Sequence, residues 1–315
     1  MRDPAPTLTV FTPTYQRAAT LPRVFESLQR QSCRNFCWLI VDDGSTDGTR
    51  QLVASWITTA RFPIDYVYQE NRGKHNAHNA AVGRARTALF LIIDSDDELL
   101  PHAVETIQRA WNEMSASEQR TLAGIWTLCC DSHGKLIGGA FAGGTIDSSL
   151  QELRYRYHDD REMMPTFVTD VLRRHPFPET PPGACAYIPE EYVWGRITRE
   201  RPIRFLDVPC RIYHRGDGLS VMARDQYRYS ASVVYGYLSP LANELEWFWW
   251  APLSFALSAV QAARYALFSG NFRELAATLP WKARLLLFLA LPAALLLLCR
   301  DWMTGRIARQ LAAPR

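Results

Sequence analysis

Residues 89–97 read Leu89-Phe90-Leu91-Ile92-Ile93-Asp94-Ser95-Asp96-Asp97, an apolar run that passes directly into a cluster of carboxylates. A short apolar run bounded by polar residues is the pattern of a buried strand. Three carboxylates in four residues repel one another unless a cation or solvent intervenes. Hard divalent cations such as Mg²⁺ and Mn²⁺ take oxygen ligands and share them with phosphates. An acidic turn after a strand is common, so the weight of this one comes from what precedes it.

Working upstream, Ile64 to Tyr68, Trp38 to Val41 and Leu8 to Phe11 are three more short apolar runs. Between them lie helical patterns. Leu21, Val24, Phe25 and Leu28 repeat at i, i+3, i+4 and i+7, one apolar helix face. Asp47 or Thr49 can cap a helix running toward Trp56, and Lys74 to Arg84 reads as a third. The order βαβαβαβ predicts an α/β fold, a mostly parallel sheet with helices on both faces. Ligands of such sheets bind outside the C-terminal strand ends. The polar clusters Thr12 to Arg17, Asp42 to Asp47, Glu70 to Asn79 and Asp94 to Glu98 follow the four strands. They are expected to converge on one crevice.

Composition narrows the function. A net charge of +3 over 315 residues is too small to point to nucleic acid. Seven cysteines form no paired CxxC framework, so reduced, mostly buried thiols are expected in place of zinc or disulfides. His75 and His78 have a helical metal-binding spacing, but the acidic cluster offers a hard cation a better site. Met1 to Pro6 contains no basic region leading into an apolar run, so no signal peptide is expected. Downstream, Gly124 to Cys130 reads as another strand, and Gly138 to Gly144 lacks the spacing of a phosphate loop.

Thr12-Pro13-Thr14-Tyr15, Val41-Asp42-Asp43-Gly44-Ser45-Thr46-Asp47-Gly48-Thr49, Glu70-Asn71-Arg72-Gly73-Lys74 with Asn76 and Asn79, and Asp94-Ser95-Asp96-Asp97 together resemble the motifs of family 2 glycosyltransferases. The resemblance implies a Rossmann-like GT-A fold and a nucleotide-sugar donor, most often a UDP-sugar, with inversion of configuration. It implies that Tyr15 and Asp43 hold the nucleobase, that Pro13 shapes the base pocket and that Asp94 lies near the ribose. Asp96, with or without Asp97, would coordinate a Mn²⁺ or Mg²⁺ bridging the donor diphosphate, and Lys74 is a candidate nucleotide contact. Ile188-Pro189-Glu190-Glu191-Tyr192-Val193-Trp194 resembles the segment that supplies the catalytic base in one branch of the family. Glu190 is the first choice, Glu191 the second; the competing reading is a glutamate pair at a helix N-terminus. Arg211-Ile212-Tyr213-His214-Arg215 through Leu219-Ser220 continues that likeness, with His214 and Arg215 candidate diphosphate contacts.

These expectations place a GT-A domain over 1–235, with a nucleotide half at 1–120 and an acceptor half at 121–235. Residues 145–185, rich in Arg, Tyr and Pro, read as an acceptor-side insertion. The acceptor would be a glycan or a lipid-linked molecule. A nucleotidyltransferase would need a glycine-rich basic loop after the first strand, and Thr12 to Arg17 has one Arg and no Gly. A non-catalytic nucleotide-sugar-binding protein is the rival from another class, and the acidic cluster argues against it. Over 240–315, Trp247-Phe248-Trp249-Trp250 precedes alanine- and leucine-rich helices. Leu285 to Cys299 is an apolar run broken by Pro292 and flanked by Lys282, Arg284, Arg300, Arg306 and Arg309. That pattern predicts a helical region on a membrane surface, and a cytoplasmic protein peripheral on the inner face of the cell membrane.

Overall fold

The computed structural model describes residues 6–141, 143–159, 161–179, 187–214 and 226–312. Cα packing divides the chain into two compact units, residues 1–179 with 200–214 and residues 180–199 with 215–315.

In the first unit β1 (Leu8–Thr14), α1 (Leu21–Gln29), β2 (Phe36–Asp42), α2 (Thr49–Ile57), β3 (Ile64–Tyr68), α3 (Lys74–Arg84) and β4 (Leu89–Ile92) alternate as their periodicities predict. The four strands lie in the order β3-β2-β1-β4, all parallel. Parallel neighbours need crossover connections, which α1, α2 and α3 supply. Helix α1 opens with Pro22 in its first turn and buries Leu21, Val24 and Leu28. Beside it Phe25 stacks on Trp56 of α2, ring centroids 4.5 Å apart, and Trp38 of β2 lies under both. The buried Trp38 indole donates to Thr12 Oγ1 at 3.0 Å, so its polar atom is satisfied.

Strand β1 runs three residues further than its apolar run. Phe11 O accepts from Ile93 N, so Phe11 and, two residues on, Pro13 turn their backbone toward the β4 side. Pairing with β4 ends at Phe11↔Ile92. The N–H that Pro13 lacks is therefore not missed by the ladder.

The sheet then continues through segments whose sequence signals are weak. β5 (Glu98–Leu99), α4 (Ala103–Glu113), α5 (Ala116–Thr121), β6 (Gly124–Cys130), β7 (Ile146–Ser148), α6 (Leu150–Arg156), β8 (Met163–Val168), α7 (Thr169–Arg174) and β9 (Ile203–Ile212) complete the unit. The order beyond β4 is β8-β6-β9-β5, with β7 also on β9. β8 is antiparallel to both β4 and β6, whereas β6 and β9 are parallel. The stretch 145–185 thus supplies an inner strand of the sheet as well as the segments around it. β6 and β9 slip in register between Thr127 and Cys129, opposite Pro209, where a proline cannot donate to a regular ladder.

The second unit is helical: α8 (Glu191–Glu200), α9 (Ser230–Asn243), a 3-10 turn (Leu245–Trp250), α10 (Pro252–Ser269), α11 (Phe272–Thr278), α12 (Trp281–Leu289), α13 (Leu291–Met303) and α14 (Arg306–Ala312). α10 buries Ala259, Ala262, Ala263 and Ala266. Small side chains at helical spacing let α9, α12 and α13 approach it closely.

Gly124 opens β6, where an added Cβ would meet Thr166 O at 2.1 Å and Phe167 Cα at 2.7 Å. Both are backbone atoms of an inner strand and cannot swing aside. Gly124→Ala is expected to cost about 3 kcal/mol in urea-induced unfolding. A variant as stable as the parent would show that β8 can move away from β6.

Candidate active site

The loops after β1, β2, β3 and β4 meet through specific hydrogen bonds. Gln16, with a positive φ of 54°, donates its backbone N–H to Ser45 Oγ at 2.9 Å, and its side-chain carbonyl accepts from Thr46 N at 3.1 Å. Ala18 N donates to Asp47 Oδ2 at 2.9 Å, while Asp47 Oδ1 accepts from Thr49 N at the start of α2. Gly44 has φ +90°, and a Cβ there would lie 2.9 Å from Asn71 N. Both the conformation and the close approach of the 71 loop require glycine.

Asp43 joins the second loop to the third. Its buried carboxylate accepts from Gln69 Nε2 at 2.7 Å, Arg72 N at 2.8 Å and Gly73 N at 2.8 Å. Asp42 is also buried and used internally, by Ser45 N at 2.8 Å and the Tyr66 hydroxyl at 2.6 Å. α3 begins immediately after Gly73. Its His75 and His78 are buried, His78 edge-on to Phe11, Phe90 and Phe177. Burial, with Arg72 adding for His75 and Lys74 for His78, holds the two rings down at about 4 and about 3. They are neutral core groups.

The acidic loop after β4 is surrounded by cations from separate elements. Lys74 Nζ lies 2.7 Å from Asp94 Oδ1. Arg23 of α1 donates to the Asp96 carbonyl at 2.6 Å, and Arg17 stands 3.8 Å from the Asp96 carboxylate. Asp97 is buried and accepts from His214 N at 2.9 Å. Arg211 Nε lies 3.6 Å from its other oxygen, close enough to pair in charge but too long to be a hydrogen bond. Arg211 also bonds Glu162 and lies over the Tyr213 ring at 5.0 Å. The His214 ring contacts Glu98 Oε1 at 2.9 Å, and Glu98 in turn pairs with Arg30.

This environment separates the carboxylates. Burial pushes Asp97 up to about 7, with Asp94 and Asp96 adding to the effect of burial and Arg211 and the His214 N–H opposing it. Burial works to raise Asp94 too, but the Lys74 ammonium, with Arg211 and Arg17 behind it, outweighs that and holds it below the usual carboxylate range. Lys74 thus favours the ionised form of Asp94, while burial works against that of Asp97.

Pro13, Asp43, Lys74, Asp94, Asp96, Asp97 and His214 therefore gather around the tips of β1 to β4, with Tyr15 49% exposed beside them. Glu190 and Glu191 stand at the start of α8 in the second unit. Arg215 lies outside the described residues. Arg211 is a charged centre of the site, between Asp97 and Glu162. Arg23 and Gln69 carry no sequence signal of a site role, and the parts taken by Arg17 and by the amides of Arg72 and Gly73 are set by the fold. The cysteines among the described residues are free thiols, and Cys129, Cys130 and Cys210 are buried.

Residues 9–117 match the family model "Glycosyl transferase family 2". Validoxylamine A glucosyltransferase of Streptomyces hygroscopicus subsp. jinggangensis is 37% identical over 109 residues, 33% of this chain and 25% of that protein. GalNAc(5)-diNAcBac-PP-undecaprenol beta-1,3-glucosyltransferase of Campylobacter jejuni is 29% identical over 110 residues, 34% of this chain and 35% of that protein. The chain thus covers well under two thirds of the curated relatives it matches. Among solved structures, TarS 1–349 of S. aureus in complex with UDP-GlcNAc superposes with a TM-score of 0.55 at 17% identity, over 91% of this chain and 80% of that one. Mannosyltransferase PcManGT from Pyrobaculum calidifontis, in complex with GDP-Man and Mn²⁺, gives 0.52 at 19% identity, over 95% and 88%. These likenesses establish a mixed, mostly parallel GT-A-like sheet with a helical C-terminal region.

Asp43 offers a direct test of the loop junction. A carboxylate has about four acceptor positions, and the loop after β3 already uses three. Asp43→Ala strands two backbone N–H groups and is expected to cost about 3 kcal/mol of stability. Urea-induced unfolding measures that cost, and a variant as stable as the parent would show that other contacts hold the loop after β3.

Proposed function

We propose that this chain, which carries a family 2 glycosyltransferase domain on a GT-A fold, transfers a sugar from a nucleotide-sugar donor, a UDP-sugar first among them, to a glycan or lipid-linked acceptor. The observation that carries this reading is the bonded convergence of the β1 to β4 loops around an acidic cluster ringed by Lys74, Arg17 and Arg23. In this reading residues 1–120 hold the nucleotide and 121–235 the acceptor. Pro13 and Tyr15 border the base, Asp43 contacts it through its remaining acceptor position, and Asp94 faces the ribose. The UDP-GlcNAc and GDP-Man named with the two structural neighbours support the donor class without choosing the sugar.

The residues present fit a hard cation. All the available donors are carboxylate oxygens, and the Asp96 carboxylate has only a long, 3.8 Å ion pair with Arg17 among the described residues. No group of three or more His, Cys, Asp or Glu there is arranged to hold a metal by itself. Asp96, with Asp97 behind it, would supply the protein ligands, and the donor diphosphate and water the rest, as is usual for Mg²⁺. Mn²⁺ or Mg²⁺ bound there would offset charge developing on the departing diphosphate.

The protein's own groups divide the remaining work. Lys74, Arg17 and, at the chain segment following β9, His214 and Arg215 are the cationic or polar groups proposed for the diphosphate. Glu190, or failing it Glu191, takes the proton from the acceptor hydroxyl. The hydroxyl oxygen attacks the anomeric carbon, the bond from that carbon to the diphosphate oxygen breaks, and the configuration inverts.

Asp96→Ala is expected to lower turnover by at least about 10²-fold and to abolish the Mn²⁺-dependent thermal shift given by the nucleoside diphosphate, with the fold intact. A variant that keeps full activity in chelator would sink the metal assignment. Glu190→Gln keeps the shape and removes the proton acceptor. About 10²- to 10⁴-fold loss of turnover with donor affinity unchanged is expected. A silent Glu190→Gln beside an inactive Glu191→Gln moves the role to Glu191, and two silent variants place the base elsewhere.

A further inference from the structure

Helices α12 and α13 are satisfied by protein on one side only. Ala283, Leu287, Ala290 and Ala294, spaced four, three and four apart, are buried and face α10. Asp301, the one acidic residue in these two helices, belongs to that inner side. It bonds Arg264 of α10 and accepts from the Tyr227 hydroxyl at 2.6 Å, and Arg264 Nε donates to the same hydroxyl. This buried network fixes α13 against α10 and turns its neighbour Trp302 outward. On the outer side Trp281, Leu285, Leu289, Leu296 and Trp302 are 70%, 53%, 69%, 73% and 76% exposed. A continuous apolar helix face left open to this degree marks a place where something else covers it.

Length decides how a bilayer could cover it. At 1.5 Å per residue the 9 residues of α12 and the 13 of α13 reach about 13 and 20 Å, short of a hydrocarbon core of about 30 Å. Among the described residues no single helix is long and apolar enough to cross; these two pass only as a pair, bent by 47°, and their inner stripe is taken up by α10. Charge decides between a bilayer and a second copy of the chain. Lys282 and Arg284 stand exposed at one end of the face; Arg300, bonded to Asp301, stands at the other, and Arg309 is exposed on α14, which follows it. A two-fold contact would set this patch against itself and bring like charges into a desolvated interface. A bilayer surface would meet the same cations with phosphates, while Trp281 and Trp302 lie at the interface that tryptophan prefers.

We propose that the outer face of α12 and α13 is a docking surface for an anionic lipid bilayer, lying in the headgroup region without crossing it. The apolar side chains enter the acyl boundary, and Lys282, Arg284 and Arg309 pair with lipid phosphates, while Arg300 is held by Asp301. This surface does not depend on the transfer reaction, and its test reads no turnover.

The experiment is co-flotation of the full chain with vesicles of phosphatidylcholine alone or mixed with phosphatidylglycerol, at low and high salt, alongside sedimentation equilibrium without lipid. The expected result is binding to the mixed vesicles that weakens with salt, and weak binding to phosphatidylcholine. Leu289→Glu combined with Leu296→Glu changes exposed positions only and should keep the parent circular dichroism and unfolding profile. Its binding is expected to fall about tenfold or more. Lys282→Gln with Arg309→Gln is expected to lose the preference for phosphatidylglycerol and keep the weak binding to phosphatidylcholine. Trp281 and Trp302 should be quenched by brominated acyl chains, and replacing both by Phe should remove that part of the quenching. The proposal is overturned if the chain ignores mixed vesicles at low salt, or if the glutamate pair binds them as the parent does. It is equally overturned if the face instead holds a dimer that the glutamate pair dissociates and lipid leaves intact.

Discussion

Strand β1 hydrogen-bonds β2 along one side and β4 along the other, both in parallel, and the rest of the first unit follows from that arrangement. Parallel strands cannot be joined by tight turns, so each connection leaves the sheet, passes through a helix and returns to the same end. β1, β2, β3 and β4 then all finish at one edge. Because the chain winds outward from β1 to β3 and next returns to the other flank as β4, the loops after β1 and β4 leave adjacent strands toward one helical layer, where α1 and α4 pack together, and the crevice opens at these strand tips. The acidic residues lie at that crevice because Ile93 carries the chain out of β4, bonded back to Phe11. No side chain in the site is placed by its own preference alone.

Bringing carboxylates together at the rim costs electrostatic energy, and the structure distributes the compensation over distant pieces of chain. Lys74 comes from the start of α3, Arg17 from the loop after β1, Arg23 from α1 and Arg211 from β9. None is close to the acidic loop in sequence. Arg211 differs from the others because it is buried and must keep its charge between Asp97 and Glu162. Removing one partner from such a group leaves an uncompensated charge in the interior. The same guanidinium therefore ties the acidic loop to β9, and His214 N, two residues past that strand, donates to Asp97 as well.

The first hundred residues were legible because their signals are local. Leu21, Val24 and Leu28 specify a helix face, and short apolar runs followed by polar clusters specify strands. β8 and β9 were not legible. Pro165 interrupts the run Met163 to Val168, and Pro209 sits at the slip in β9, so neither reads as an inner strand by pattern. Tertiary pairing with β4 and β6 overrides that local preference. The site divides the same way. The acidic cluster announces itself in sequence, whereas the work of Asp43 depends on amides that the chain brings back from Arg72 and Gly73. Arg211 reads in sequence as one more arginine, because its partners are fixed only by the fold.

The two-residue strand β5 and the three-residue strand β7 both lie antiparallel on β9. They cover the two ends of what would be a ten-residue open ladder, at Ile203 to Phe205 and at Arg211 and Ile212. At the opposite end β3 is the outermost strand, and Asp65 on it is clasped by Arg84. A sheet rim of unpaired N–H and C=O groups is a template for any extended chain nearby, and shortness and charge are the usual defences against it. The sheet is therefore finished at both ends. Recruitment of a foreign strand into a fibre-like stack would first require β5 or β7 to be stripped away, or the Arg84–Asp65 clasp to be undone.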